Sequence, residues 1–389
     1  MENENQSPIL LLPNEILIKI LINIPNLKNI EYMTVNKKFL ETIQFLFHYY
    51  EKFYNSIDPN WKKDSGKLLR TLFSLKKERA IKFLYNNYNY IEVIYDIVFC
   101  IGLFNYTKLL RYVNKTNSYA LADGAAEGGY FDLVKYAVEL GAKNFDEIAK
   151  NAARGGHLNI VKYALDMGAN DIYSIITISA KAGHFHIIRY LVEEKGYHNF
   201  GFIAMFAAGG GHLNIVQYAI DRGARNYEEI AKYAAEGGHL NIVQYAEERG
   251  ARNYAEIANY AAEGGHLDIV IYAVDRGARN YAEIARSAAE KGHLIIVIYA
   301  VDKGARNYEE IAKYAAQEGH LDIVMYAVDK GARNYEEIAT TAAYFCHLNV
   351  VKYAIKRGAN NLNEIIDSAR RFCPSVVNYI NRLNKNLQR

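Results

Sequence analysis

Six histidines, His212, His239, His266, His293, His320 and His347, stand 27 positions apart. Around them one phrase keeps returning: Asn-Tyr-Glu-Glu-Ile-Ala, then Gly-His-Leu-x-Ile-Val-x-Tyr-Ala, then Gly-Ala-Arg. A fixed period of this length admits few folds. Each copy is too short to bury its own apolar face, so copies stack into a solenoid in which each contacts mainly its neighbours. Such arrays present long binding surfaces and seldom a closed catalytic pocket. The frame opens at Asn117, Asn144, Asp171, Asn199, Asn226, Asn253, Asn280, Asn307, Asn334 and Asn361, and every step is 27 except one of 28 between Asp171 and Asn199. A weaker copy opens at Asn89, and 64–88 reads as a degenerate one or as connecting helices. The array therefore covers at least 89–385.

Each unit reads as two short helices. Asn226 is a favourable N-cap, and Glu229, three residues on, is placed to reach back and close a capping box; Asn253 with Glu256, Asn280 with Glu283, Asn307 with Glu310 and Asn334 with Glu337 repeat the arrangement. Tyr227, Ile230, Ala231, Ala234 and Ala235 share one helical face and form the expected buried stripe. Gly237 and Gly238 end this helix. The second starts near His239, buries Leu240, Ile242, Val243 and Ala246, and stops at Gly250, the C′ position where glycine is favoured.

The core Ala234, Ala235, Gly238, His239, Leu240, Ile242, Val243, with Gly250 and Ala251 after it, resembles the ankyrin repeat. Glu229-Ile230-Ala231-Lys232 stands where that family has Thr-Pro-Leu-His, and the period is shorter than the family's roughly 33 residues. The missing residues fall where the family's β-hairpin lies. The expected fold is accordingly all-α: an ankyrin-like helical solenoid with shortened 27-residue repeats, little or no β-hairpin, and a small N-terminal helical module.

That module lies at 9–50, after a short N-terminal stretch 1–8. Leu12, Pro13, Ile16, Leu17 and Ile20, followed by Val35 and Phe39, resemble the F-box, a three-helix unit that docks on the Skp adaptor of cullin-type ubiquitin ligases. Phe39 stands where tryptophan is usual, and Lys28-Asn29 where Asp-Leu is common. The residues themselves also fit a helical cap over the first repeat, because Leu-Pro-x-Glu opens ordinary helices.

The bulk numbers set limits on partners. A net charge of +3 with a pI near 8.4 is too mild to argue for nucleic acid. No stretch approaches the ~20 apolar residues of a membrane span, and Met-Glu-Asn-Glu-Asn lacks the features of a signal peptide. Three cysteines are present, Cys100, Cys346 and Cys373. The last two occupy one repeat position a unit apart, roughly 9–10 Å by helix-packing distance, which predicts reduced thiols in an intracellular protein. Abundant Asn, Ile, Lys and Tyr, with the shortened repeats, resemble proteins of large DNA viruses of protists or of a similarly AT-rich host; the viral resemblance implies an intracellular protein of the host cytoplasm.

No residue set points to catalysis, a cofactor or a small-molecule substrate. Neighbouring histidines lie one layer apart, without metal-ligand spacing, and read as hydrogen-bonded in the inter-helix turn. The Gly-Gly pairs recur with the period and precede no Lys-Ser, so they are turns and not phosphate cradles. The tyrosine column from Tyr136 to Tyr353 reads as packing.

Differences between repeats locate candidate binding surfaces. Lys232, Asn259, Arg286 and Lys313 occupy one outward position of the first helix, and Tyr233, Tyr260 and Tyr314 its neighbour. The ankyrin resemblance implies that these line a partner-binding groove; surface drift is the alternative. Arg225, Arg252, Arg279, Arg306 and Arg333 form a basic ridge suited to an acidic partner unless nearby acids such as Glu228 or Asp221 neutralise it. On the second helix, Ile271, Ile298 and Met325 replace Gln244, and Ile295 shares their face. They form either an exposed apolar patch or a surface buried against adjacent layers. The expected function is a protein-interaction scaffold: a ligase adaptor that holds an unidentified protein target, or a binding-only protein whose N-terminal helices are a cap, with an enzyme the remote alternative.

Overall fold

The computed structural model describes residues 91–113, 115–370 and 373–387. Leu12, Pro13, Ile16, Leu17, Ile20, Val35 and Phe39, with the opening at Asn89, lie outside the described residues. Among those described there are 21 α-helices, one 3-10 helix (Thr107–Tyr112) and no strand. The chain divides into two compact units, Met1–Ile175 and Ile176–Arg389, each built from stacked helix pairs. This is an all-helical repeat solenoid.

The helices obey the repeat frame. First helices such as Phe145–Gly155, Tyr227–Glu236, Tyr254–Gly264 and Tyr281–Lys291 start directly after an opening Asn, and second helices such as Leu240–Glu248 and Leu267–Asp275 directly after a His. Elsewhere in the second unit the link between repeats is five residues, as at 222–226, or four, as at 304–307, but between helices Phe185–Glu193 and Phe200–Gly209 it is six. The extra residue sits beside Gly196, which turns with φ 73°, while the Tyr197 amide donates to the Leu191 carbonyl at 3.0 Å.

Small residues set the spacing. Ile230, Ala231, Ala234 and Ala235, like their counterparts Ile257, Ala258, Ala261 and Ala262, are 0% exposed, as are Ile242, Val243 and Ala246 on the second helix. Alanine pairs let neighbouring helices approach closely, and each buried Ile or Val contributes about 1.5–3 kcal/mol. Tyr227 and Leu240, expected in this stripe, are only half-buried. They stand at the first position of their helices, where the side chain leaves the inter-helix contact for the rim.

The opening asparagines depart from the expected capping box. At Asn226, Asn253, Asn280, Asn307 and Asn334 the side chain accepts no helix-capping bond. Instead the Asn253 amide donates to the Glu228 carbonyl of the preceding layer at 3.4 Å and to Glu256 at 3.1 Å. Asn280 makes the same pair of bonds to Ala255 and Glu283, and Asn307 to Ala282 and Glu310. The asparagine ties layers together, and the glutamate is its acceptor, stationed in the positive first turn.

Turns stack more tightly than helix axes. His266 Nε2 lies 3.1 Å from the Glu236 carbonyl, His293 Nε2 3.2 Å from that of Glu263, and His347 Nε2 2.9 Å from that of Gln317. Each imidazole also fills the space over the preceding turn. Gly319 has φ 82°, and a Cβ there would lie 2.4 Å from His347 Nδ1, so only glycine fits.

Cys346 occupies the equivalent position one layer on, with φ 68°. There the next histidine is replaced by Pro374, no imidazole fills the space, and a side chain is accommodated. The expectation that Cys346 and Cys373 are separate thiols is corrected: they form a disulfide with Cα atoms 5.2 Å apart. The helix-packing distance does not apply to turn residues, which stack at closer range. Cys100 is buried and takes no part in a disulfide.

Candidate functional site

The described part of the second unit displays a continuous face made by its first helices. Residues three, four and seven apart share one side of a helix, so Glu229, Lys232, Tyr233 and Glu236 all point the same way, opposite the Ile230–Ala234 stripe. Contacts between layers join these helices laterally. Lys232 Nζ lies 3.7 Å from Glu229 of its own helix and 3.2 Å from Glu256 of the next. The Asn259 amide donates to Glu283 at 3.3 Å. Arg286 Nη1 is 3.8 Å from Glu310, and Lys313 Nζ 2.5 Å from Glu337.

The seven expected groove residues Lys232, Tyr233, Asn259, Tyr260, Arg286, Lys313 and Tyr314 thus share one surface. Tyr233, Tyr260 and Tyr314 are half-buried. Lys232 lies over the Tyr260 ring and Arg286 over the Tyr314 ring, each 5.7 Å from the centroid. Hydrogen bonding to Glu337 raises the Lys313 ammonium above its ordinary value. Lys313 in turn, with the Asn334 amide, holds Glu337 below the usual carboxylate range. These cations are already engaged, so their charge is largely spent within the face.

The basic ridge has a different role from the one its sequence suggests. Arg252 Nη1 donates to the Ala251 carbonyl at 2.7 Å and to that of Glu247 at 2.6 Å. Arg279 does the same to Ala278 and Val274, and Arg306 to Ala305 and Val301. The guanidinium caps the negative C-terminal end of each second helix. Neither Glu228 nor Asp221 is what engages it.

The second-helix patch is exposed rather than buried between layers: Ile295 is 69% exposed, Met325 42% and Ile271 36%, with Ile298 half-buried. At the ends of the second helices Leu240–Glu248 and Leu267–Asp275, Arg249 and Arg276 stack on Tyr245 and Tyr272, 3.4 and 3.5 Å from the ring centroids.

Three features went unread in the sequence. Helix Phe200–Gly209 has no charged residue: Phe202 replaces the Glu229 type, and Met205 and Phe206 replace Lys232 and Tyr233. Phe202 stacks on Phe206 at 6.2 Å between centroids, and Phe206 meets Tyr233 edge-on at 5.9 Å. Comparing columns would have exposed this break. Glu247 stands where other repeats have Ile220, Val274 or Val301; it accepts from Tyr254 at 2.8 Å, from Arg276 Nε at 2.8 Å and from Tyr272. Tyr344 and Phe345 project at the last Ala-Ala turn, 53% and 44% exposed.

In the first unit, Asp123 is 3% exposed and accepts from Tyr95 at 2.7 Å and Asn144 at 2.8 Å. Burial lifts its carboxyl to about 6, against the opposing effect of these bonds. It is a buried structural node. Among the described residues no group of three His, Cys, Asp or Glu could hold a metal ion, and no helix is long and apolar enough to cross a membrane.

A family model described as ankyrin repeats, in three copies, matches residues 149–229. No curated protein matches the chain. The matched segment carries ankyrin repeats, and its helix pairs, Ala-Ala stripes and Gly-His turns recur in register through the helices that follow it.

Proposed function

We propose that this protein is the substrate receptor of a cullin-type ubiquitin ligase, with its repeats capturing a protein target and residues 9–50 recruiting a Skp-type adaptor. Ankyrin repeats imply a protein–protein interaction role, and a helical solenoid of this kind is a binding architecture. The observation that carries the binding half is the contrast within each first helix. Its buried side repeats almost unchanged, whereas its outward side changes from Phe202-Met205-Phe206 to Glu229-Lys232-Tyr233 to Glu283-Arg286. Packing does not demand that variation, and a partner read along the face would.

The ligase half rests on the F-box-like spacing of Leu12, Pro13, Ile16, Leu17, Ile20, Val35 and Phe39, with 51–88 as connection and 89–385 as the array. In this reading the chain works inside a host cell, and its target is a host protein. The second reading is a binding-only protein whose N-terminal helices cap the first repeat. Co-purification of the intact chain with Skp and cullin subunits separates the two. Deleting 1–50 should abolish Skp capture and leave the repeats folded by circular dichroism. Failure of the intact chain to retain any Skp would remove the ligase role and favour the cap.

A further inference from the structure

The first-helix face of the second unit is asymmetric along its length. At one end Phe202, Met205 and Phe206 with Tyr233 make a half-buried apolar surface. A helix without a charge would ordinarily be enclosed on all sides; here only Ile203, Ala204, Ala207 and Ala208 are buried. Beyond it the face turns acidic. Glu229, Glu256, Glu283 and Glu310 line its leading edge, and Glu236, Glu263 and Glu290 its trailing edge, making seven carboxylates. Against them stand four cations, Lys232, Arg286, Lys291 and Lys313, and each already has a carboxylate within 4.0 Å. Among the described residues no ion pair reaches Glu236, Glu263 or Glu283, and Glu236 and Glu283 are exposed.

This charge balance is the reverse of the one that the arginine ridge suggests, because those guanidinia are bound to helix-terminal carbonyls. We infer that the face binds a basic linear segment of a partner protein carrying one large apolar anchor. The anchor seats on Phe206 and its neighbours. Lys or Arg side chains then run along Glu236, Glu263 and Glu283. Layers packed about 9 Å apart, spanned by an extended chain at about 3.3 Å per residue, place one basic residue in every three. Complementary charge sets orientation and encounter rate, and the desolvated anchor holds the complex.

This inference rests on the reading of the repeats as a protein-binding array, and its test is independent of Skp capture. A random 16-residue peptide library displayed on phage is selected against the intact chain, and one enriched peptide is made with a fluorescent label for anisotropy. The expected peptides carry a single aromatic or Leu-type anchor followed by Lys or Arg at three-residue intervals. Binding should weaken at least about tenfold between 50 and 300 mM salt, as screening shortens the reach of the charges. The variant Glu236→Lys, Glu263→Lys, Glu283→Lys should reduce it by a similar factor, and so should Met205→Ser with Phe206→Ser. Circular dichroism confirms that each variant is folded, and Tyr233→Ala provides a second, milder probe of the anchor site. Enrichment of acidic or uncharged peptides would overturn the proposal, as would binding indifferent to all these changes. Peptides that instead lose affinity when Ile271, Ile298 and Met325 become serine would also overturn it, while leaving the array a binding scaffold. A selection that enriches nothing would count against both the inference and the peptide-binding array, and Skp capture would still report on the ligase role.

Discussion

Phe206 meets Tyr233 edge-on across two layers, their ring centroids 5.9 Å apart, at a column that elsewhere carries Tyr260, Ser287 and Tyr314. The contact joins the uncharged helix Phe200–Gly209 to the charged face beyond it. The transition falls between chemically different neighbours of one continuous surface, and that surface is where partner discrimination is proposed to reside.

Replacing Tyr233, Tyr260, Arg286 and Tyr314 together by alanine should leave helicity nearly unchanged, since none belongs to the 0%-exposed stripe. Partner binding should fall by several kcal/mol on the usual hot-spot scale. The comparison is the patch Ile271, Ile298 and Met325 changed to polar residues. Loss of binding in that variant alone would move the site to the second helices.

Asp123 should make the first unit less stable near neutral pH. Its carboxyl is lifted from 3.8 to about 6, so its stabilising contribution is fully present below 3.8 and lost as pH rises through about 6. Asp123→Asn should flatten urea-denaturation stability between pH 4 and 6 and raise it at pH 7 by up to roughly 3 kcal/mol. An unchanged slope would show that this group does not titrate there.

His239 should act in the opposite direction. Burial lowers its imidazole below the ordinary 6.5, opposed by its hydrogen bond to the Gly209 carbonyl and assisted by His266 and His212. Its neutral form is the folded form, so its contribution is complete above 6.5 and declines as pH falls below that value. His239→Gln, which keeps a donor but cannot titrate, should reduce the acid-side loss in melts compared at pH 7.5 and 5.5.

Glu247→Gln tests the substituted carboxylate. Burial would raise its carboxyl, but hydrogen bonds from Tyr272, Arg276 and Tyr254 outweigh that and hold it below 4.5. Its contribution is therefore present above 4.5 and lost in acid. Weakening charge-assisted bonds at this node should cost about 1.5–3 kcal/mol at pH 7, and the cost should shrink towards pH 3. A pH-independent difference would assign the effect to shape.

Oxidised and reduced forms should differ at the C-terminal end. The Cys346–Cys373 bond spans 27 residues, and closing a loop of that size contributes about 3.5 kcal/mol in the chain-entropy view. Alkylation and mass spectrometry should find only Cys100 free after denaturation. Reduction, or Cys346→Ser, should speed hydrogen exchange in Leu348–Arg357 and Pro374–Leu387 while leaving Tyr254–Gly264 unchanged.

Periodicity was sufficient to locate the helix pairs from Asn117 to Asn361, the extra residue between Asp171 and Asn199 and the buried Ile-Ala-Val stripe, because the spacing of apolar residues records which side of a helix is enclosed. It also showed which positions, Lys232 or Tyr260 among them, lie off the fully buried stripe. Only the folded chain decided where the charges go. Arg252 and Glu256 are both exposed charged residues in the sequence, but one ends a helix on backbone carbonyls and the other pairs with Lys232 of another layer. Likewise Cys346 and Cys373 are one repeat apart in any reading, and their bond depends on turns that stack at 5.2 Å and on the imidazole that Pro374 does not supply. Period and hydrophobicity are local properties of a chain. Interlayer charge pairing and disulfide reach are set by distances between residues about 25–30 positions apart, which exist only once the layers are stacked.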